Sequence, residues 1–255
     1  MTMIWPRVIA HPTGGLWIED ARALLIADLH LGYGWAQRRR GQLGPVEDQT
    51  TQERISQVVA ELSPTQIVLL GDIVHAPHPA PEERAWIEGI LSELKDRLVC
   101  VRGNHDRGFL KDFPSLGISL LEDWRFQDLR AVHGDRLPQA IPDGERWILG
   151  HWHPAIRIED AGGAGRKFPA FVATERLIVM PAFSPFAAGV DVWRSLPGEI
   201  ARLCGGADEH GPGDPTVVAV TGKRTVALGP LSGFRSPAAD TRPSRFQRRS
   251  RKSKK

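Results

Sequence analysis

The sequence predicts one α/β domain over residues 1–230, and three observations predict it. Through the first half, apolar runs of strand length alternate with amphipathic helical stretches. Past about residue 117 the helical pattern fades and short strand-like runs follow one another, so this half is expected to be mainly antiparallel. Five of the runs end on Asp, Asn or His, usually beside a glycine.

Residues 16–19 and 23–28 read as two strands joined by a tight polar turn. Thr50-Thr51-Gln52-Glu53 has the spacing of a capping box. Ile55, Val58, Val59 and Leu62 then fall at i, i+3, i+4 and i+7, one stripe of a helix. Residues 66–70 form a continuous apolar strand that stops at Gly71-Asp72. A second helix starts near Pro81 with Ile87, Ile90, Leu91 and Leu94 on one stripe, and strand 98–102 follows. That order packs helices on the faces of a sheet. Further strands are predicted at 129–132, 146–149, 155–159, 168–173, 177–180 and 190–193. Thr216 to Leu228 reads as a hairpin around Thr221-Gly222-Lys223, and the Gly- and Pro-rich segment 205–215 as a surface loop. There is no internal repeat.

Composition sets the remaining bounds. With 41% hydrophobic and 25% charged residues the chain is an ordinary globular protein. No apolar run approaches the roughly 18 residues of a spanning helix, so no membrane partner is expected. The start lacks a basic segment followed by an apolar stretch, and two cysteines, Cys100 and Cys204, are too few for a disulfide framework. A reducing cytoplasm is the expected location. The net charge of +3 is unevenly spread: residues 234–255 hold nine Arg or Lys against Asp240, so the rest of the chain carries −5. Residues 231–255 are expected to be a disordered basic tail. Such a tail either touches nucleic acid phosphates or only solubilises the end.

The strand ends carry the chemistry. They are Asp28-Leu29-His30, Gly71-Asp72, Gly103-Asn104-His105-Asp106, His133-Gly134-Asp135 and Gly150-His151-Trp152-His153. In open α/β sheets, ligands gather outside the carboxyl ends of strands. Five of the nine histidines lie in these turns. A lone histidine is more often a satisfied polar residue, the reading kept for His11 and His210, while His75 and His78 follow the second turn closely enough to reach a site's rim. Five together point to metal binding or catalysis.

Asp28-x-His30, Gly71-Asp72, Gly103-Asn104-His105-Asp106, His133 and Gly150-His151-x-His153, in that order, resemble the motifs of the calcineurin-like metallophosphoesterases. The resemblance implies a two-sheet β-sandwich flanked by helices. "ADLHLGYG", "GDIVHA", "RGNHDR" and "MPAFSPFAAG" are most similar to the SbcD-type nucleases and their short relatives, including the phosphoesterase associated with DNA ligase in damage-response operons. The middle histidine, His133, is followed here by Gly-Asp, the general form of the superfamily.

By that resemblance, Asp28, His30 and His153 hold one divalent metal, Asn104, His133 and His151 a second, and Asp72 bridges them. Carboxylate, amide and imidazole donors without thiolate suit Mn²⁺, with Fe or Zn also accommodated. Two divalent ions offset by Asp28, Asp72 and one hydroxide leave about +1, which suits a phosphodiester without excluding a monoester. His105 is implied to sit over the substrate and donate a proton. Asp106 either orients it or pairs with Arg102 or Arg107, and Asp135 reads as a turn residue. Asn104 is placed against substrate as well as metal. Arg38, Arg39 and Arg40 either face solvent or contact substrate phosphate.

The resemblance implies a nuclease acting on DNA in repair or end processing, with ligase and helicase proteins as potential partners. The alternative is a small-molecule phosphodiesterase or nucleotide pyrophosphohydrolase of the same fold. A metal-free binding scaffold is disfavoured, since no ligand residue is missing.

Overall fold

Residues 1–42, 49–159, 164–187, 189–205 and 214–234 are described by a computed structural model of the chain. The expected tail from residue 235 onward, and residues 206–213 of the expected loop with His210, lie outside the described residues.

The first sheet contains β1 (Thr2–Trp5), β2 (Val8–Ala10), β3 (Leu16–Ile18), β4 (Ala23–Ala27), β5 (Gln66–Leu70), β6 (Leu98–Val101) and β7 (Leu120–Leu121), in that spatial order. β1 to β4 form an antiparallel meander, and β4 to β7 run parallel. Parallel strands need crossovers, and here these carry α1 (Tyr33–Arg39), α2 (Gln49–Leu62), α3 (Pro81–Leu94) and the single turn α4 (Phe109–Asp112). α3 opens on Pro81 with Glu82 and Glu83 in its first turn, and the Glu83 carboxylate reaches back to the Ala80 N–H at 3.3 Å. Its predicted stripe, Ile87, Ile90, Leu91 and Leu94, is buried. Among the described residues α2 spans Gln49–Leu62, so Thr50-x-x-Glu53 lies inside the helix, with Gln49 already helical before Thr50.

The second sheet contains β8 (Trp124–Phe126), β9 (Leu129–Val132), β10 (Arg146–Leu149), β11 (Pro154–Glu159), β12 (Gly165–Ala173), β13 (Leu177–Val179), β14 (Val190–Asp191), β15 (Thr216–Val220) and β16 (Thr225–Pro230). Their order is β14-β11-β12-β13-β10-β9-β8, with β15 pairing β12 and β16 pairing β15. As expected, this half is mainly antiparallel, but at its centre β10 runs parallel to both β9 and β13. The crossover between β9 and β10 is long enough for a parallel pair but holds no helix, so nothing in its pattern marked the direction.

Alternate side chains of each strand define four layers. Ala23, Leu25, Ala27, Val68, Leu70 and Val101 face the second sheet, where they meet Leu129, Ala131, Ile148, Phe171 and Ile178. Leu24, Ile26, Ile67, Leu69 and Cys100 face the other way, against Ile55, Val58, Ile87 and Leu91 of the helices. The outer face of the second sheet is covered by Ile200 and Leu203 of α5 (Gly198–Leu203). The fold is two mixed sheets face to face with helices outside. No helix among the described residues is long and apolar enough to cross a membrane.

Candidate metal centre

The carboxyl ends of β4, β5, β6, β9 and β10 bring the polar turns together where the two sheets meet. Asp28, His30 and His153 place one donor atom each within 4.8 Å of one another, and Asp72, His133 and His151 do the same. Asn104 joins the second group, its Oδ1 lying 3.0 Å from His133 Nε2, which in turn is 3.1 Å from His151 Nδ1. Asp72 spans the two: Oδ1 is 3.4 Å from His133 Nε2 and Oδ2 is 3.9 Å from His30 Nε2. All seven expected ligands converge.

The backbone is bent to achieve this. Among the described residues ten non-glycines have positive φ, and five are Asp28, His30, Asp72, His151 and His153. Left-handed backbone costs a non-glycine about 1–3 kcal/mol and persists where the surroundings over-determine it. Half of this strain is concentrated in one cluster of donors.

The donors fit a cation better than they fit each other. Asp28 Oδ1 and His153 Nε2 lie 3.2 Å apart, yet both are buried without a hydrogen bond of acceptable alignment. The other oxygen, Oδ2, accepts the His151 N–H at 2.8 Å, which leaves Oδ1 available. His30 Nδ1 is a third buried atom without a partner. Orphaned oxygen and nitrogen lone pairs in one buried cluster are what a divalent ion satisfies.

Burial would raise the Asp28 pKa, but His153, His133 and His30 outweigh it and hold the carboxyl below its ordinary value. Burial pushes His30 down to about 3 against the pull of Asp28, and pushes His75 down to about 4 with help from His105. His151 is lowered by burial and by His133. For His153, burial lowers the pKa but Asp28 and Asp72 outweigh it, and the net shift is upward. In the metal-free protein His30, His75 and His151 therefore hold fewer protons folded than unfolded. Their contribution to stability is present above about 6.5 and is lost as pH falls. His153 and Asp106, whose pKa values are raised, act in the opposite sense. The large His30 and His75 shifts decide the sign. Chelator-treated protein should show a melting temperature that falls between pH 6.5 and 4.5, and a rise would contradict the arrangement.

His105 stands at the rim, exposed over 43% of its side chain, with Nε2 4.0 Å from Asp72 Oδ2. Its backbone N–H donates to Asp72 Oδ1 at 2.9 Å, and its Nδ1 faces the His75 carbonyl at 3.2 Å. A carbonyl only accepts, so Nδ1 carries a proton and Nε2 is directed to the site.

Asp106 does not orient that ring and pairs with neither Arg102 nor Arg107. Its Oδ2 accepts the Gly103 N–H at 2.9 Å and its Oδ1 accepts the Ile73 N–H at 2.9 Å, tying the turns after β5 and β6 together. Burial pushes this carboxyl up to about 6, opposed by those N–H groups. Arg102 pairs with Glu122 instead.

The arginine triplet is divided. Arg38 lies over the Trp35 ring, 4.8 Å from its centroid, and Arg39 forms an ion pair with the buried Glu83 of α3. Arg39 thus joins α1 to α3, a partnership that neither alternative read from the sequence included. Arg40 is exposed at the end of α1, and with Arg39 it projects positive charge onto His75. His11 is a satisfied core residue bonded to Thr13 and Glu61, and His78 pairs with Asp112.

His75 does reach the rim of the site, and one residue beside the site, Arg54, was not read from the sequence. The His75 ring packs edge-on against His30 and beside His105, with ring centroids 5.5 and 6.2 Å away. Its only sequence signal was its position three residues after Asp72. Arg54, half-buried in α2, donates to the Phe183 carbonyl at 2.8 Å and to the Thr13 carbonyl. It anchors the 180–187 segment beside the Asp28 turn, where Phe183 N–H also bonds the Ala27 carbonyl.

The pattern of the calcineurin-like phosphoesterases matches residues 21–170, more than half of the chain. The chain belongs to the calcineurin-like phosphoesterase family, and it is a metal-dependent phosphoester hydrolase. Among solved structures, the nuclease MPE of Pseudomonas putida is similar in fold, with a TM-score of 0.63 and 23% identity over 87% of this chain and 94% of that one. The phosphoesterase YfcE of E. coli gives a TM-score of 0.41 and 15% identity over 81% and 99%. No curated protein matches the chain in sequence.

Proposed function

We propose that the chain is a phosphodiesterase with two divalent ions, acting on DNA as a nuclease in repair or end processing. The observation that carries this reading is the pair of donor clusters sharing Asp72. Asp28, His30 and His153 would hold one ion, Asn104, His133 and His151 the other, with Asp72 between them. Oxygen and nitrogen donors without thiolate favour Mn²⁺. Bound there, the ions would supply Lewis-acid stabilisation of phosphoryl charge and a nucleophile drawn from water.

The chain's own groups do the rest. His105, with Nδ1 fixed on the His75 carbonyl, presents Nε2 to an incoming phosphoester, and as a cation it donates a proton to the leaving oxygen. Asp106 holds the two turns at a fixed spacing. Asn104, partly exposed beside His133, can also donate its amide N–H to a phosphoryl oxygen. The DNA assignment draws on the motif resemblance and on the nuclease that shares the fold. Ligase or helicase proteins are the partners that resemblance implies.

Release of acid-soluble nucleotides from DNA by Mn²⁺-loaded protein tests the reading. No release, with brisk turnover of a cyclic nucleotide or a nucleotide diphosphate, would move the substrate to small molecules. His105→Ala should keep both metals, counted by elemental analysis, while turnover falls about 10²–10⁴-fold. Undiminished turnover would remove His105 from the mechanism.

A further inference from the structure

Beside the metal centre lies a cavity of ≈ 290 Å³ that shares His153 with it. This is close to the lower end of ligand-sized clefts, about 300–1,000 Å³. Pro154, Pro169, Pro185 and Phe186 line it, with Lys167. The Lys167 ammonium donates to the Gly189 carbonyl, which keeps the cation at the cavity. Gly189 itself is pressed against the start of β11: a Cβ there would lie 2.7 Å from the His153 carbonyl oxygen.

Phe186 is one end of a continuous line of rings. It stacks on Tyr33 at 5.5 Å and 11°, Tyr33 packs on His75 at 4.8 Å, and His75 lies beside His105. The line therefore runs from the residue proposed to protonate the leaving group to a cavity bordering the opposite metal ligand.

The lining chemistry selects an occupant. A sugar alone would need several converging donors and acceptors, and an acyl chain would need no cation. A flat π system with an anion beside it uses what is present: the Phe186 face, the proline walls and the Lys167 charge. Aromatic stacking accepts any base, because every base has a π face.

We propose that this cavity is a nucleoside subsite, taking the base joined to the scissile phosphate against Phe186 while Lys167 faces the adjoining phosphate. The inference rests on the phosphodiesterase reading and narrows its substrate. The space holds one nucleoside and no paired partner, so the base enters unpaired, from a single strand or a frayed end.

Two readouts separate the subsite from the chemistry. The first is saturation-transfer NMR of thymidine 5′-monophosphate with metal-free protein. Wild type should saturate the thymine protons, Phe186→Ala should lose that signal, and Lys167→Gln should weaken the nucleotide more than thymidine. The second compares thymidine 5′-(p-nitrophenyl phosphate) with methyl p-nitrophenyl phosphate in Mn²⁺, two esters that differ only in the group that stays. Phe186→Ala should lower the ratio of their kcat/KM values about tenfold, within the range expected for one lost base stack. Phe186→Leu fills the same space without a π face, so a matching loss in this variant at unchanged melting temperature excludes misfolding. Thymine protons left unsaturated in wild type, or a ratio constant within twofold across both variants, would overturn the subsite. If neither ester is hydrolysed while the thymine signal persists and depends on Phe186, the subsite stands and the phosphodiesterase reading falls.

Discussion

Asp72→Asn should abolish the stabilisation that Mn²⁺ confers on the wild-type protein while leaving the metal-free protein as stable as before. Asp72 has one oxygen directed to each donor cluster, so its neutralisation weakens both sites. Loss of a mere outer partner costs metal affinity about 10–100-fold, and a shared ligand should exceed that. At a metal concentration 100 times Kd, one site adds about 2.7 kcal/mol to the folded state. A 100-fold weaker site at the same concentration adds about 0.4 kcal/mol. Asparagine is the substitution that isolates this effect. It tolerates left-handed backbone, which the φ of 49° at this position demands, and its carbonyl can still accept the His105 N–H.

The metal-free comparison has a definite sign. Asp72 repels the buried Asp106 carboxylate and contributes to its raised pKa. Removing that charge relieves the repulsion. At alkaline pH, where His153 and His151 are neutral, it forfeits no attraction to them, so there the metal-free variant should melt at or above the wild-type temperature. Melting curves with and without Mn²⁺, together with turnover, decide the matter. A variant that still gains the full metal shift would show that the clusters do not share Asp72.

The sequence made this centre legible because its donors stand at the ends of largely apolar strands. β5, β9 and β10 begin and end where the apolar runs do, since central strands buried on both faces leave no ambiguity of period. The edge is different. β1 carries Met3 at 63% exposure beside a buried Trp5, and so short a mixed run has no signature of its own. α1 and α5 are too short for a stripe to declare itself. Within the site, residue type and order picked out the side chains that converge, but partnership across the chain did not follow. Asp106 looks like a companion of His105 because they are adjacent, while its true partners are the Gly103 N–H of its own turn and the Ile73 N–H of the turn after β5. Arg39 reads as part of a basic run until Glu83, 44 residues later, is seen to hold it.

Gly103→Ala should disable the centre without touching a ligand. β5 and β6 are parallel neighbours, and their exits are pressed together so that Asp72 and Asn104 can serve one cluster. A Cβ at Gly103 would overlap the backbone nitrogen and Oδ1 of Asp72 and approach the Gly71 carbonyl carbon to 2.9 Å. Two of these atoms are backbone and cannot rotate away, so the strand ends must part. Parting strains the Ile73 N–H bond to Asp106 and draws Asp72 away from His133. Overpacking of this kind costs about 1–3 kcal/mol, several degrees of melting temperature in a domain of this size. The metal shift should shrink with it, and turnover should fall at least as far as in His105→Ala. Gly89→Ala in α3 is the matching control. No heavy atom lies within 4 Å of a Cβ there, and alanine in a helix interior gains about 0.5–1 kcal/mol over glycine. One methyl group should thus raise stability at Gly89 and collapse the metal response at Gly103. A Gly103→Ala protein with wild-type metal binding would mean that the two strand ends are free to separate, and that the shared position of Asp72 is not enforced by their packing.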